Sequence, residues 1–249
     1  MKIAIDTHTH SVASGHAYST IEELAKGARK RGLKGFVLTD HGPGMPGGAH
    51  PYHFGNLRIL PAHLHGVRFY RGAEVNIMAS DGSIDLDDKI ARRLDFVMAG
   101  FHEICFEPRD RKGNTEALLA ALANPLVDAI SHPGNPAFPI DIEAVVVRAA
   151  ELGKALEVND SSFRVRVGSD ENCLAMARAC VIHGCSMVCG SDAHFWEDVG
   201  RLDTAKAHLL KADAPASLVV NSTVKGFETF LIRRRGSIQS DTSSLAARA

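Results

Sequence analysis

The sequence predicts an α/β protein built as a distorted seven-stranded (β/α)7 barrel of the TIM-like kind. Three observations predict it. Seven short, nearly continuous apolar runs alternate with helix-like stretches, the pattern of parallel strands covered on both faces. Almost every run ends in His, Asp, Glu or Asn. In an open sheet those ends would lie along a line, whereas in a barrel they ring one mouth, the face where such barrels carry their active sites. The chain has 249 residues, a length that an α/β barrel takes without dividing.

The strand runs are Ile3–Thr7, Gly35–Thr39, Arg68–Val75, Asp95–Gly100, Asp128–Ser131, Ala155–Val158 and Met187–Gly190. The first helix follows Thr20, which can N-cap IEELAKGARKRG with Glu23 three residues on as a capping box, and Gly32 supplies its stop. Asn114–Ala123, Asp141–Glu151, Asp170–His183 and Gly200–Ala212 read as further helices, and Ser222–Arg235 as the last. Leu218–Asn221 reads as a short eighth strand or an irregular lead-in. Residues 1–236 are expected to form one domain, and the small, polar tail Ser237–Ala249 to be disordered or loosely attached.

Composition narrows the function. A hydrophobic content of 45% suffices for a full core, and a net charge of −1 argues against long nucleic acids or a membrane surface as partners. MKIAIDTHTH has no apolar signal-peptide core, and no apolar run reaches the ~18–20 residues of a membrane span. The five cysteines show no CxxC pair and are expected to be reduced thiols of a cytoplasmic protein. A P-loop, a GxGxxG fingerprint and a GxSxG elbow are all missing from the sequence.

The strand ends carry nine residues of metal-binding type: His8, His10, His16, His41, Glu74, His102, His132, Asp192 and His194. Imidazole and carboxylate are the usual ligands of catalytic transition metals. His8 and His10 alternate on one strand face, and Asp6 is expected to share it and to support a ligand histidine. Asp192 and His194 repeat the spacing after the last strand, which in a closed barrel neighbours the first. A carboxylate at Glu74 would be costly to bury alone, and its two oxygens suit it to bridging two cations. Any one histidine reads better as a hydrogen-bonded rim residue, but seven of thirteen at such positions weaken that reading. Asp40 is expected to orient a neighbour, and His183 and His208 to lie on helix surfaces.

The Gly- and Pro-rich loop His41–Phe54 offers His50 and His53 as substrate contacts or as merely exposed residues. Asn159 is expected to face the mouth and to bind substrate or a ligand carboxylate. Arg58, Arg164 and Arg166 could approach a phosphate, with solvated charge the better reading for each.

These residues, in this order, resemble the PHP (polymerase and histidinol phosphatase) family. Its four motifs are present as DTHTH at Asp6–His10, TDHG at Thr39–Gly42, SHPG at Ser131–Gly134 and GSDAH at Gly190–His194. VASGHAYST, GAEVNI, AGFHE and LEVNDSSF extend the resemblance to the YcdX-type branch of probable phosphatases, over roughly residues 3 to 235. The resemblance implies a PHP fold with three divalent ions, zinc first and Mn2+ or Fe2+ as alternatives. It implies that His8, His10, Glu74 and Asp192 hold one metal, Glu74, His102 and His132 a second, and His16, His41 and His194 a third.

The expected chemistry is hydrolysis of phosphomonoesters of small molecules by metal-activated hydroxide. Glu74 would bridge metals, and Asp192 would accept or return a proton, weakly because it is also a ligand. Alternatives are a phosphodiesterase or exonuclease, a histidinol-phosphate phosphatase, or a non-catalytic metal-binding module. The native substrate and the oligomeric state are not encoded in these motifs.

Overall fold

The computed structural model describes residues 1–233 and Gly236. Seven parallel strands form the expected nearly closed barrel: β1 (Ile5–Thr9), β2 (Gly35–Leu38), β4 (Val67–Asn76), β5 (Phe96–Gly100), β6 (Ala129–Ile130), β7 (Ala155–Asn159) and β8 (Ser186–Gly190). They are neighbours in that order. An eighth, unexpected strand, β3 (His63–Leu64), lies off this path and pairs antiparallel with the start of β4. It places His63 in a hairpin, with His65 at the hairpin turn at φ 49°.

The helices fill the gaps between strands. Thr20 caps α1 (Ile21–Lys30) through the reciprocal bonds expected with Glu23, and Gly32 follows at φ 73°. The helix α2 (Pro51–Asn56) stands in the Gly/Pro-rich loop, with one turn of α3 (Asp88–Ala91) after β4. Asp110 caps α4 (Arg111–Ala123), so this helix starts three residues before the expected Asn114. Asp141 caps α5 (Ile142–Glu151); its carboxylate accepts from the Ala144 N–H. Then come α6 (Ser162–Val165), α7 (Ser169–His183), α8 (Asp203–Lys211) and a last helix α9 over residues 224–233. The tail expectation for Ser237–Ala249 falls outside the described residues.

The core is layered by strand alternation. Outward side chains such as Phe36, Phe69, Val97 and Leu156 pack under the helices. Inward side chains at the lower end, among them Ile5, Val37, Tyr70, Phe96, Met98 and Val188, form a second apolar cluster, which α9 plugs with Phe227, Phe230 and Leu231. The Phe227 ring meets Tyr70 edge-on at 5.2 Å. This plug fixes polarity along the barrel: the bottom is apolar, and the inward positions above it are left for chemistry.

The seam between β1 and β8 has no continuous ladder. At the top it is held by a parallel bridge, Thr9 to Ala193, with the His10 N–H donating to the Ala193 carbonyl at 2.8 Å. Lower down, the buried Asn221 side chain replaces the missing rungs. Its amide donates to Ile5 O and Cys189 O, each at 2.8 Å, and its Oδ1 accepts from Cys189 N–H at 3.1 Å. The segment before it makes one bridge, Met187 to Val219, so it is the irregular lead-in and not an eighth barrel strand.

The first strand departs from simple alternation. Asp6 pairs with Phe36 and Thr9 with Leu38, so β1 spends one residue more than β2 over that interval. This bulge flips the face of the residues beyond it. Asp6 therefore does not share the face of His8 and His10. It accepts from the backbone N–H groups of Ser191, His8 and Gly200, and from the Ser191 hydroxyl, so it ties β1 to the loop after β8.

Candidate metal centre

The inward positions at the upper end of the barrel hold the ligand-type side chains. In β4, Tyr70, Gly72, Glu74 and Asn76 alternate inward, and Glu74 is completely buried at the centre of the mouth. Its Oε1 lies 2.9 Å from His132 Nε2 and 3.5 Å from His102 Nε2. Its Oε2 lies 3.0 Å from His41 Nδ1, 3.2 Å from His8 Nε2 and 3.5 Å from His10 Nε2. Asp192 Oδ1 approaches His10 Nε2 at 3.3 Å and His8 Nε2 at 3.5 Å. His194 stacks on His10, with ring centroids 4.3 Å apart. His16, exposed on the loop after β1, stacks on His41 and His194 at 5.0 and 4.9 Å. All nine expected ligand positions thus converge.

Three groups have ligand atoms within 4.8 Å of one another: His8, His10 and Glu74; His41, Glu74 and His102; and His10, His41 and His194. The chemistry of the donors fits metal ions. His8 Nε2, His10 Nε2, His41 Nδ1, both His102 ring nitrogens and Glu74 Oε2 are buried without a hydrogen-bond partner. Buried polar atoms are almost always paired, and an unpaired one costs ~1–3 kcal/mol. Five of them, His8 Nε2, His10 Nε2, His41 Nδ1, His102 Nε2 and Glu74 Oε2, lie together at the centre of the mouth and are explained by cations that would bind them.

Local backbone and small residues make the room. His132 and Asp192 sit at positive φ, 34° and 54°, a conformation costly for residues with a side chain. A Cβ added at Gly190 would meet Glu157 Oε1 at 2.2 Å and His8 Cβ at 2.5 Å, and one at Gly100 would meet Ser131 Oγ at 2.1 Å. Both glycines keep the barrel wall clear for imidazoles.

Supporting groups fix the ring orientations. The fully buried Glu157 accepts from His132 N–H at 2.8 Å through Oε2 and faces His8 Nδ1 at 2.8 Å through Oε1. Sequence reasoning passed over Glu157, although it stands two residues before Asn159 on the inward face of an otherwise apolar strand. Ser14 Oγ contacts His10 Nδ1 at 3.1 Å and donates to Asp40 Oδ1 at 2.8 Å, so Asp40 orients its neighbours as expected. Arg166, expected among solvated charges, places Nη1 3.3 Å from Asp192 Oδ2. Asn159 donates to Glu157 and Asp192, the ligand-carboxylate alternative. His53 bonds Asp40 at 2.9 Å, and His50 spends Nδ1 on capping α2 at Tyr52 N–H. His208, expected on a surface, is buried and stacked on Phe163 at 4.1 Å.

The field in the pocket favours cations among carboxylates. Burial opposes the charge on Glu74, yet His8, His102 and His41 hold its carboxyl well below the usual range. Asp192 is likewise held low against burial, by His8, His10 and Arg166. Burial, with the neighbouring rings of His194 and His41, pushes His10 well down, and burial with Arg166 lowers His132 to about 4. Both shifts favour the neutral imidazole, the form that ligates metal, whereas His8, against burial, is pushed well up by Glu157, Glu74 and Asp192 around it.

Comparison with known proteins agrees with this geometry. The model of the PHP domain matches residues 6–161. A probable phosphatase of Acetivibrio thermocellus is 50% identical over 239 residues, covering 96% of this chain and 99% of the relative. One of Thermoanaerobacter sp. (strain X514) is 47% identical over 240 residues, covering 96% and 98%. Among solved structures, the histidinol phosphate phosphatase of Lactococcus lactis, complexed with zinc, L-histidinol and phosphate, superposes with a TM-score of 0.60 at 18% identity, covering 84% of this chain and 93% of that one. A Xaa-Pro dipeptidase shares the fold at a TM-score of 0.53 and 12% identity, covering 94% and 76%. With the PHP domain model matched over residues 6–161 and relatives 47–50% identical across 96% of its length, the chain belongs to the PHP domain family.

Proposed function

We propose that the protein is a metal-dependent phosphatase acting on phosphomonoesters of small molecules at a cluster of three divalent ions. Glu74 Oε2 and the four imidazole nitrogens that face Glu74, all buried without a hydrogen-bond partner, carry this reading. The kinship with probable phosphatases and the zinc and phosphate bound in the Lactococcus lactis neighbour support it. Zinc suits a donor set rich in imidazole, and Mn2+ or Fe2+ are the alternatives.

His8, His10, Glu74 and Asp192 would hold one ion, Glu74 with His102 and His132 a second, and His16, His41 and His194 a third. Such ions, when bound, screen phosphoryl charge and bring the pKa of water towards ~7. Glu74 directs its two oxygens to different sets of imidazoles, the arrangement a bridging carboxylate needs. Asp192 offers Oδ1 to the cluster while Arg166 and Asn159 hold Oδ2, which leaves it a weak proton acceptor. Arg166 lines the cleft beside the cluster and is placed to receive a phosphoryl oxygen. We assign His50, exposed on the loop after β2, to substrate contact, and give His53 and Asn159 an indirect part through Asp40 and Asp192.

The test is elemental analysis of purified protein, with hydrolysis of p-nitrophenyl phosphate against its bis-ester in Zn2+ or Mn2+. Bound metal with preferred cleavage of the monoester is expected, and Glu74→Ala should lose both. Preference for the bis-ester would replace this reading with a phosphodiesterase, and metal without hydrolysis with a metal-binding module.

A further inference from the structure

The cleft that opens from the metal cluster on its His102 side has a volume of about 620 Å³. Its floor includes the stacked rings of Phe101 and Phe138. Its outer wall carries Pro136, Ala137, Val165 and Val167, and the two valines are 65% and 94% exposed. Exposed valines on a rim that holds a reactive centre are poor partners for water and good partners for an organic substituent.

The charges of this mouth are as informative as its apolar wall. The loops that follow the strands, residues 10–20, 39–50, 77–87, 101–110, 131–141, 160–168 and 191–202, contain no lysine. Their arginines are Arg109, Arg164, Arg166 and Arg201. Arg164 is paired with Asp160 and Arg201 with Asp198. Arg109 lies over the Phe106 ring and does not line the cleft. Arg166 does line it, but its guanidinium is engaged by Asp192, Ser162 and Asn159. The remaining charged side chain of the lining is the exposed carboxylate Glu103, next to His102.

Resting on the phosphatase reading, we propose that the enzyme selects phosphomonoesters whose alcohol is uncharged or cationic with an apolar body, and discriminates against those carrying a second anionic group. The phosphate would be drawn to the metal cluster and Arg166. The alcohol then lies along Val165 and Val167, with Glu103 as the charge it meets. A carboxylate or second phosphate there faces Glu103, while the cation of the lining, Arg166, is already engaged by Asp192, Ser162 and Asn159. This is specificity by repulsion, which needs no contact to the preferred substrate. For one anion about 6 Å from Glu103 in a half-solvated cleft, the penalty corresponds to about tenfold in kcat/KM.

The experiment uses the zinc-loaded full chain and two matched pairs of esters: glycerol 2-phosphate with 2-phosphoglycerate, and phenyl phosphate with 4-carboxyphenyl phosphate. Each carboxylate-bearing member should show kcat/KM lower by roughly tenfold, mainly through KM. Val167→Lys, at a site exposed enough to leave the fold intact, and Glu103→Gln should each narrow that ratio. Equal turnover within both pairs, a preference for the carboxylates, or ratios that neither variant moves would overturn the proposal and leave the phosphatase standing. Failure of all four esters to react would instead remove the phosphatase reading, and this proposal with it.

Discussion

Replacing Glu157 by Gln changes one atom in a fully buried side chain and should disable His8, a proposed metal ligand, without touching it. Glu157 Oε2 receives two donors, His132 N–H at 2.8 Å and Asn159 Nδ2 at 3.1 Å. Its other oxygen faces His8 Nδ1 at 2.8 Å. A carboxylate only accepts, so His8 must carry a proton on Nδ1, which leaves Nε2 as the nitrogen available to a bound cation. Glutamine has one acceptor and one donor group. Its oxygen is required where two donors converge, so its NH2 must face His8. The imidazole then accepts at Nδ1 and holds its proton on Nε2, where a cation can no longer bind. Turning the amide over only moves the conflict, since NH2 would then meet two N–H donors. Losing such an orienting partner typically lowers metal affinity ~10–100-fold, or ~1.4–2.8 kcal/mol. The assay is zinc competition against a fluorescent chelator, with circular dichroism as the check on folding. A folded Glu157→Gln protein that keeps wild-type zinc affinity would refute the tautomer argument.

Other perturbations draw on the same geometry. Asn221→Ala strands Ile5 O, Cys189 O and Cys189 N–H inside the seam; at ~1 kcal/mol or more each, stability should fall by about 3–5 kcal/mol, read as a lowered urea midpoint. Gly190→Ala drives a methyl against Glu157 and His8, so zinc content should drop while most secondary structure survives in the far-UV spectrum. Stripping metal with a chelator should lower Tm, and zinc at a hundred times Kd should restore about 2.7 kcal/mol per site. Burial raises the Cys173 thiol to about 12, so the folded state holds a proton that the unfolded chain releases. Its contribution is therefore complete below pH ~9 and is lost as pH climbs towards 12, up to roughly 4 kcal/mol; Cys173→Ala should flatten that alkaline decline in denaturant titrations.

The barrel and the ring of ligand types were legible because both are written in periodicity and in residue type at strand ends. Glu74 could be picked out because a carboxylate after an apolar run has few other reasons to be there. Asp6 was misplaced because a bulge leaves no mark in the residue pattern: DTHTH alternates on paper, and only the pairing of Asp6 with Phe36 and Thr9 with Leu38 reveals the added residue. Glu157 was missed for a related reason. Its role depends on His8, 149 positions away in the chain. His208 looked like a helix surface residue, and its burial is set by the packing of Phe163 in a neighbouring short helix. Caps encoded locally, such as Thr20 with Glu23, were read correctly, since both partners lie within one turn.

The Asn221 clasp gives the fold a timetable. His8 and His10 leave the ribosome early, Asp192 and His194 late, and the side chain that staples their strands together emerges later still. A nascent chain that has not reached residue 221 lacks the fastener for its own first strand, so its early histidines wait as unclosed, apolar-flanked β-edge. Capture of the proposed ions would thereby be tied to near-complete synthesis, and truncated translation products should emerge as chaperone clients and not as partial enzymes.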